Sequence, residues 1–340
     1  MGLRQLRFYL FTAAAMLLIP STALAAEHHT PIHGPASPFA ESSSAVTEGS
    51  PSANVQDTEC YWVLDVTTGA VTEVPLRDYL IGVVCAEMPA TFETEALKAQ
   101  VVAAHTYAER ISRQNRETPD PALFGADFSN DSSVYQAYYT ESQIRNAFGD
   151  CFTLYYNKVA DAVDAVCDEL LYYENEPIVA AFHAMSSGKT ENAETVWGAP
   201  LAYLVSVDSA SDANAPSYLD TATFTAEEVR ATLTAAVPSL QLPEDKSEWF
   251  KVQTTSEAGT VLRVQCGDHV WSGQQIRELF ALRSACFSVA CTENTFTFTT
   301  KGYGHAVGMS QYGANAMAAA GSSYAEILAH YYPHTTLQSS

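Results

Sequence analysis

The chain has 340 residues, 47% of them hydrophobic, with 17 Lys and Arg against 39 Asp and Glu, a formal net charge of −22. So acidic a chain repels nucleic acid and anionic lipid, which removes both from the expected partners and leaves neutral or weakly charged ligands such as glycans. The cysteines, at 60, 85, 151, 167, 266, 286 and 291, form no C-x-x-C pair and do not make a small disulfide scaffold, although a Cys286–Cys291 pair stays open.

Residues 1–26 read as a secretory signal, or as an N-terminal membrane anchor if left uncut. Two arginines in "MGLRQLR" precede the uncharged "FYLFTAAAMLLIP", and Ala23 and Ala25 stand at the spacing a signal peptidase reads. An extracytoplasmic location is therefore expected. Residues 27–57 are rich in Ser, Pro, Ala and Gly and read as a disordered linker. His28, His29 and His33 within it read as solvated rather than as a metal site. The remainder, 58–338, is long enough for one elongated catalytic region or two packed lobes.

"ECYWVLDVTTGAVTEVPLRDYLIGVVCAEMP" predicts a strand, a Thr-Thr-Gly turn, a second strand and a short apolar, strand-like segment ending at Glu87. A helix follows from Glu93 or Thr94 to about Ser112, with Leu97, Val101, Ala104, Ala108 and Ile111 on one face. His105 lies within or beside that stripe. It reads either as a core histidine bonded to backbone or as a site residue, and in both cases something polar must face it. Further on come a helix at 141–148 and, from Lys158 onward, a second helix, a hairpin through Glu174-Asn175-Glu176 and an apolar strand delivering "FHAMSSGKTEN". Beyond Ala210 the pattern predicts a helix at "TAEEVRATLTAAV", strands around 250–268, a short helix "SGQQIRELFALRS" and strand-like "NTFTFTT". A glycine-rich loop, "KGYGHAVGMSQYG", then feeds a small-residue helix and the amphipathic "SYAEILAHYYP". The class is α+β, with mixed sheets and packed helices.

Three polar loops follow apolar lead-ins: "CAEMPATF", "FHAMSSGKTEN" and "GYGHAVGMSQYG". If the lead-ins share a sheet, its edge collects Glu87, His183, Ser186, Ser187, Lys189, Thr190, Glu191, His305, Ser310 and Gln311. One carboxylic acid among histidine, lysine and hydroxyl donors suits acid catalysis on an oxygen-rich substrate. The apolar neighbours Val83, Val84, Met88 and Phe92 would raise the pKa of Glu87. The alternatives are weaker: no HExxH, Walker or dinucleotide pattern occurs. Cys85 lies in an apolar run with no cation near it to generate a thiolate.

In four ordered blocks the chain resembles the family of stage II sporulation protein D and its relatives, which include the amidase-modifier protein of vegetative cells. The blocks are "YLIGVVCAEMPATFETEALKAQVVAAHTYA", "FHAMSSGKTENAETVWGAPLAYLVSV", "WSGQQIRELFALRS" and "GHAVGMSQYGANAMA". The resemblance implies a lytic transglycosylase acting on peptidoglycan glycan strands stripped of stem peptides. It also implies work with a cell-wall amidase and a membrane scaffold protein during engulfment, and no cofactor. The family's catalytic acid corresponds to Glu87, with His183, Ser186, Lys189, Thr190, His305, Ser310 and Gln311 as the residues that would hold the glycan. For all of these except Glu87, a purely structural role stays open. His105 stands where the family has arginine, and the resemblance would place it facing the cleft near Glu87. Ala306 stands where the family favours glycine. Where some members bind zinc through a His and Cys cluster, this chain has Phe124, Ser129, Val134 and Tyr135, so no zinc is expected. The rival expectation is a non-enzymatic wall-binding module that stimulates an amidase.

Overall fold

The computed structural model describes residues 59–339. The expected export segment, the linker and its three histidines lie outside the described residues. Strands β1 (Cys60–Leu64) and β2 (Val71–Pro75) form the expected antiparallel hairpin, closed by the Gly69 N–H donating to the Asp65 carbonyl at 2.7 Å.

The next run is not strand-like. It is helix α1 (Leu76–Glu87), in which every residue from Tyr79 to Ala86 is buried. A helix buried on all sides carries no 3.6-residue hydrophobic period, so its sequence mimics an interior strand. Gly82 is required there: a Cβ would lie 2.4 Å from the Tyr138 ring and 2.5 Å from the Tyr139 carbonyl. The segment 135–139 is thereby pressed onto the second half of α1, with the Tyr139 N–H donating to the Gly82 carbonyl at 3.2 Å.

Helix α2 (Thr94–Glu117) runs one turn past the expected end and forms the centre of the first core. Its alanines 96, 99, 103, 104 and 108 are fully buried, which lets other elements approach closely. Helix α3 (Glu141–Phe148) leads into α4 (Phe152–Val166), which packs on both α1 and α2. Between α2 and α3 in the chain, β3 (Phe128–Ser129) pairs in parallel with β1. Strands β4 (Glu169–Tyr173) and β5 (Glu176–Pro177) make the expected hairpin, with φ of +50° at Glu174 and +65° at Asn175, as a tight two-residue turn demands. Strand β6 (Phe182–His183) and helix α5 (Ala193–Trp197) follow.

A second apolar core is built by the chain between β6 and the glycine-rich loop. One antiparallel sheet holds β7 (Leu219–Thr225), β11 (Phe287–Thr292) and β12 (Thr295–Lys301) in the order β11-β12-β7. The other holds β8 (Phe250–Thr255), β9 (Val261–Cys266) and β10 (His269–Trp271). Helices α6 (Ala226–Ala236) and α7 (Gly273–Leu279) both open on capping boxes, Thr225 with Glu228 and Ser272 with Gln275. Trp249, Phe296, Phe298, Val229, Leu233 and Ile276 fill this core. Strands β7 and β11 were not anticipated, although both alternate in the period-two manner of half-buried strands.

The chain returns to the first core through β13 (Met309–Ser310), α8 (Gln311–Ala319), α9 (Tyr324–Tyr331) and β14 (Thr336–Ser339), the last pairing with β4. β13 pairs in parallel with β6, matching Met309 to Phe182 and Ser310 to His183. The fold is α+β, as expected. One of the three polar loops leaves β6 and another leaves β12 and runs into β13, the partner of β6, whereas the first leaves a helix terminus, so the three lead-ins do not share one sheet.

Candidate functional site

Glu87 is the last residue of α1. Its Oε1 accepts a hydrogen bond from the Ala137 backbone N–H at 2.6 Å. The residue retains some surface, but its carboxyl sits deep in the apolar wall, and that burial pushes its pKa up to about 7 against a small opposing effect from the Ala137 N–H. No charged side chain contributes to that shift among the described residues. Close to neutral pH the group therefore exchanges a proton readily. The charge of Glu87 acts on both Tyr79 and Tyr107. Gln136, next to Ala137, donates from Nε2 to the Tyr79 hydroxyl at 2.9 Å and to the Ala104 carbonyl at 3.2 Å. The wall behind Glu87 is thus α1, one face of α2 and the strap 135–139.

Cys85 is no rival. It is buried without a cation, and burial pushes its thiol up to about 12.

His105 requires a correction. It is fully buried, and the charges acting on it are Glu109 and Asp168, with backbone at Glu169. Glu87 is not among them, although it does act on Tyr107, and two residues along a helix turn the side chain by about 200°. His105 consequently points away from Glu87, toward the start of β4. Desolvation lowers its pKa to about 4, so it stays neutral and does not reproduce the charge of an arginine.

The expected glycan-holding residues are mostly interior. His183 is fully buried; its Nδ1 donates to the Val307 carbonyl at 3.2 Å, and the Val307 N–H donates to Nδ1 of His305 at 3.1 Å. One residue, Val307, thus braces through its N–H and its carbonyl two imidazoles whose centroids are 5.6 Å apart. Burial lowers the His183 pKa to about 3 and drives His305 well down as well, so both are neutral. Trp197 lies on the other side of His305, 5.6 Å between rings. Ser186 and Ser310 are also spent inside the protein. Asp212 accepts from the Ser186 N–H at 2.7 Å, the Ser186 hydroxyl at 2.6 Å and the Ser310 hydroxyl at 2.8 Å. The hydroxyl of Thr190 receives the Val207 N–H at 2.8 Å. The Gln311 Nε2 donates to Gln100 on α2 at 3.3 Å. Among the residues expected to hold glycan, Lys189 alone is substantially exposed, and its ammonium pairs with the exposed Glu257 at 3.0 Å. Glu191 is buried and takes a close hydrogen bond from Ser256. Ser186, Thr190, Ser310 and Gln311 accordingly brace the two loops internally, while His183 and His305 are braced through Nδ1 and keep Nε2 without a partner among the described residues, His305 lining a cavity with Met185, Ser187 and Gly304.

Asp212 was missed because it lies in "SASDANAPS", a stretch that reads as surface loop; nothing local marks an aspartate that becomes fully buried. Ala137 could not be read either, since it acts through a backbone N–H that every non-proline residue owns. Gly82 did leave a trace, a lone glycine in an apolar run, which signals close approach of another chain segment. At the position expected to lack zinc ligands, Ser129 is buried in β3 beside Phe128. No three His, Cys, Asp or Glu side chains among the described residues are placed to hold a metal ion.

These features define a class: an α+β protein with a proton-exchanging carboxyl at a helix terminus in an apolar wall, and two braced loops fixed by a parallel strand pair. A family model described as Stage II sporulation protein matches residues 65–173, which contain Glu87, α2 and the strap 135–139. Stage II sporulation protein D of Bacillus subtilis (strain 168) is 37% identical over 268 residues, 79% of this chain and 76% of that protein. The Bacillus amyloliquefaciens protein of the same name is 38% identical over 266 residues, 77% of this chain and 74% of that one. A Bacillus subtilis protein named Amidase enhancer is 28% identical over 309 residues, 76% of this chain and 40% of its own length. The chain belongs to the stage II sporulation protein D family.

Proposed function

We propose that the protein is a lytic transglycosylase of peptidoglycan, exported by its N-terminal segment and acting on peptide-free glycan strands in sporulation. The observation that carries this reading is the state of Glu87: one oxygen pinned by a backbone N–H, the other without a partner among the described residues, and a pKa raised to about 7 by burial. Protonated on its free oxygen, Glu87 gives its proton to the bridging oxygen that leaves C1 of N-acetylmuramic acid. The C1–O bond breaks, the same sugar's 6-hydroxyl closes on C1, and its proton passes to the Glu87 carboxylate. The product is a 1,6-anhydro end; no water is consumed and the acid is restored. A pKa near the working pH favours both halves of that cycle. Lys189 remains a candidate for contact with the strand once its exposed pair with Glu257 opens.

The second reading is an amidase activator that binds the wall without cutting it, favoured by the relative named Amidase enhancer. A cell-wall amidase is a partner in both readings, and a membrane scaffold protein of engulfment belongs to the first. Digestion of peptide-free glycan strands separates them. Wild type should release anhydro-muramic products, and Glu87→Gln should lose at least about 100-fold in rate, the scale of a positioned acid. No fragments from either protein, with equal amidase stimulation by both, would hand the case to the activator.

A further inference from the structure

Lys158, half-buried on α4, donates from Nζ to the Phe92 carbonyl at 2.5 Å and pairs with no carboxylate among the described residues. Of the lysines and arginines from Arg77 to Lys189, that sets it apart. Arg77, Lys98, Arg113, Arg116, Arg145 and Lys189 each pair with an acid. Arg110, the other exception, is turned to the Pro177 carbonyl of β5. The turn that Lys158 reaches is the one that follows Glu87, and it is fixed from several sides. The Phe92 N–H donates to the Pro89 carbonyl at 2.9 Å, the Phe92 ring meets Tyr312 of α8 edge-on at 5.0 Å, and the Glu93 N–H donates to Asn315 Oδ1 at 2.8 Å. The carbonyl that holds the ammonium is therefore rigid, which fixes the ammonium too. Two extended steps and that turn separate Phe92 from Glu87, at most about 14 Å between Cα atoms. A disaccharide bridges such a span. The ammonium carries three donors, and the Phe92 carbonyl takes one of them.

We propose that Lys158 is a specificity-determining residue that binds the lactyl carboxylate of N-acetylmuramic acid, the group that removal of the stem peptide sets free. This rests on peptide-free glycan being the ligand of the reading above, and names the feature by which such a strand is told from a peptide-bearing one. A stem peptide holds the lactyl group as a neutral amide; its removal leaves an anion on each muramic acid. A chain of net charge −22 repels that anion at long range, so a local cation with spare donors is what admits it. An ammonium bonds a carboxylate more strongly than it bonds an amide carbonyl, which turns the lost peptide into a gain in affinity. Lys189 would first have to leave Glu257, whereas Lys158 has no ion pair to give up.

The whole chain carrying Glu87→Gln, which should hold strands without cutting them, is titrated by calorimetry with peptide-free glycan. The strands have their lactyl carboxylates either intact or converted to methylamides. Intact strands should bind at least about tenfold more tightly, the scale of a charge-assisted hydrogen bond. Adding Lys158→Met should bring intact strands down to the affinity of amidated ones, and amidation should then cost nothing further. Equal binding of the two strands by Glu87→Gln, or none, overturns the proposal. So does an amidation penalty that survives Lys158→Met, and so does a Lys158→Met that weakens both strands alike, the mark of a merely structural lysine. Should Lys158→Met fail to fold, lysine labelled with ¹³C at Cε decides. The Lys158 resonance, assigned by its loss in Lys158→Arg, should shift with intact strands and stand still with amidated ones; a resonance indifferent to intact strands overturns the proposal equally. Because binding is read without cleavage, a carboxylate preference in a protein whose wild type cuts nothing counts against the transglycosylase reading alone. Wild-type cleavage of intact and amidated strands with equal KM counts against Lys158 alone.

Discussion

The two apolar cores of the molecule are built on opposite terms. The second, around Trp249 and Phe298, is a cluster of rings: Phe298 lies 5.0 Å from Phe280, 5.3 Å from Phe250 and 5.8 Å from Phe224. Its polar groups are largely settled at helix caps and strand ladders on the surface. In the first core, around α2, polar and ionisable groups are buried among the apolar ones: Glu87, His183, His305, Asp212, Gln100 and Tyr107. Burying such groups costs stability unless each is paired, and several here are not. The difference locates function. Most of the unpaired buried polar atoms among the described residues lie in the first core, although the Trp271 Nε1 of the second is unpaired as well.

The sharpest break in that comparison comes from truncation. Phe298→Ala should cost about 4 kcal/mol by denaturant unfolding, equally at pH 5 and pH 8, since the loss is of packing alone. Asp212→Ala should cost about 3 kcal/mol, because three donors on Ser186 and Ser310 lose their common acceptor. A loss under 1 kcal/mol would mean that the two loops are not held together by this carboxylate.

Glu87→Gln should move stability in the other direction. The folded protein holds this proton more tightly than the unfolded chain, with the pKa raised from the usual 4.5 to about 7. The corresponding stability is complete below the unfolded value and is lost as pH rises between the two. At pH 8 the charged group weighs roughly 3 kcal/mol against folding, at 1.36 kcal/mol per unit. The amide variant should therefore be more stable than wild type at pH 8, by up to that amount, with the gain vanishing near pH 4. A gain independent of pH would contradict the buried carboxyl. The smallest effect belongs to the loop joining the two cores. Ala306 is held at φ +63°, a left-handed conformation that an L-alanine adopts at a cost. Ala306→Gly should stabilise by about 1 kcal/mol, visible as a raised melting temperature, without altering the Glu87 titration.

Much of the second core was open to reading, since "SGQQ" and "TAEE" announce helices through their capping boxes and "NTFTFTT" alternates in the manner of a half-buried strand. Helix α1 was misread because burial on every side erased its period. The histidines and serines of the two loops were found as a set, with ligand contact and a structural role both open, and the structure shows them buried and bonded to one another's loops. Their residue types suit ligand contact and internal bracing equally, and only burial distinguishes the two.

The chain's order of residues by itself settled the α+β class, the position of α2, and the candidacy of Glu87 as an acid beside apolar neighbours. These depend on local pattern, which is carried by residues adjacent in sequence. What lies across the core was decided by the tertiary structure alone: the Ala137 N–H on the carboxyl, His105 turned away from it, Asp212 gathering two loops and Tyr107 left unpaired. Each is a contact between segments brought together by folding, and no periodicity along the chain encodes which buried polar group will find a partner.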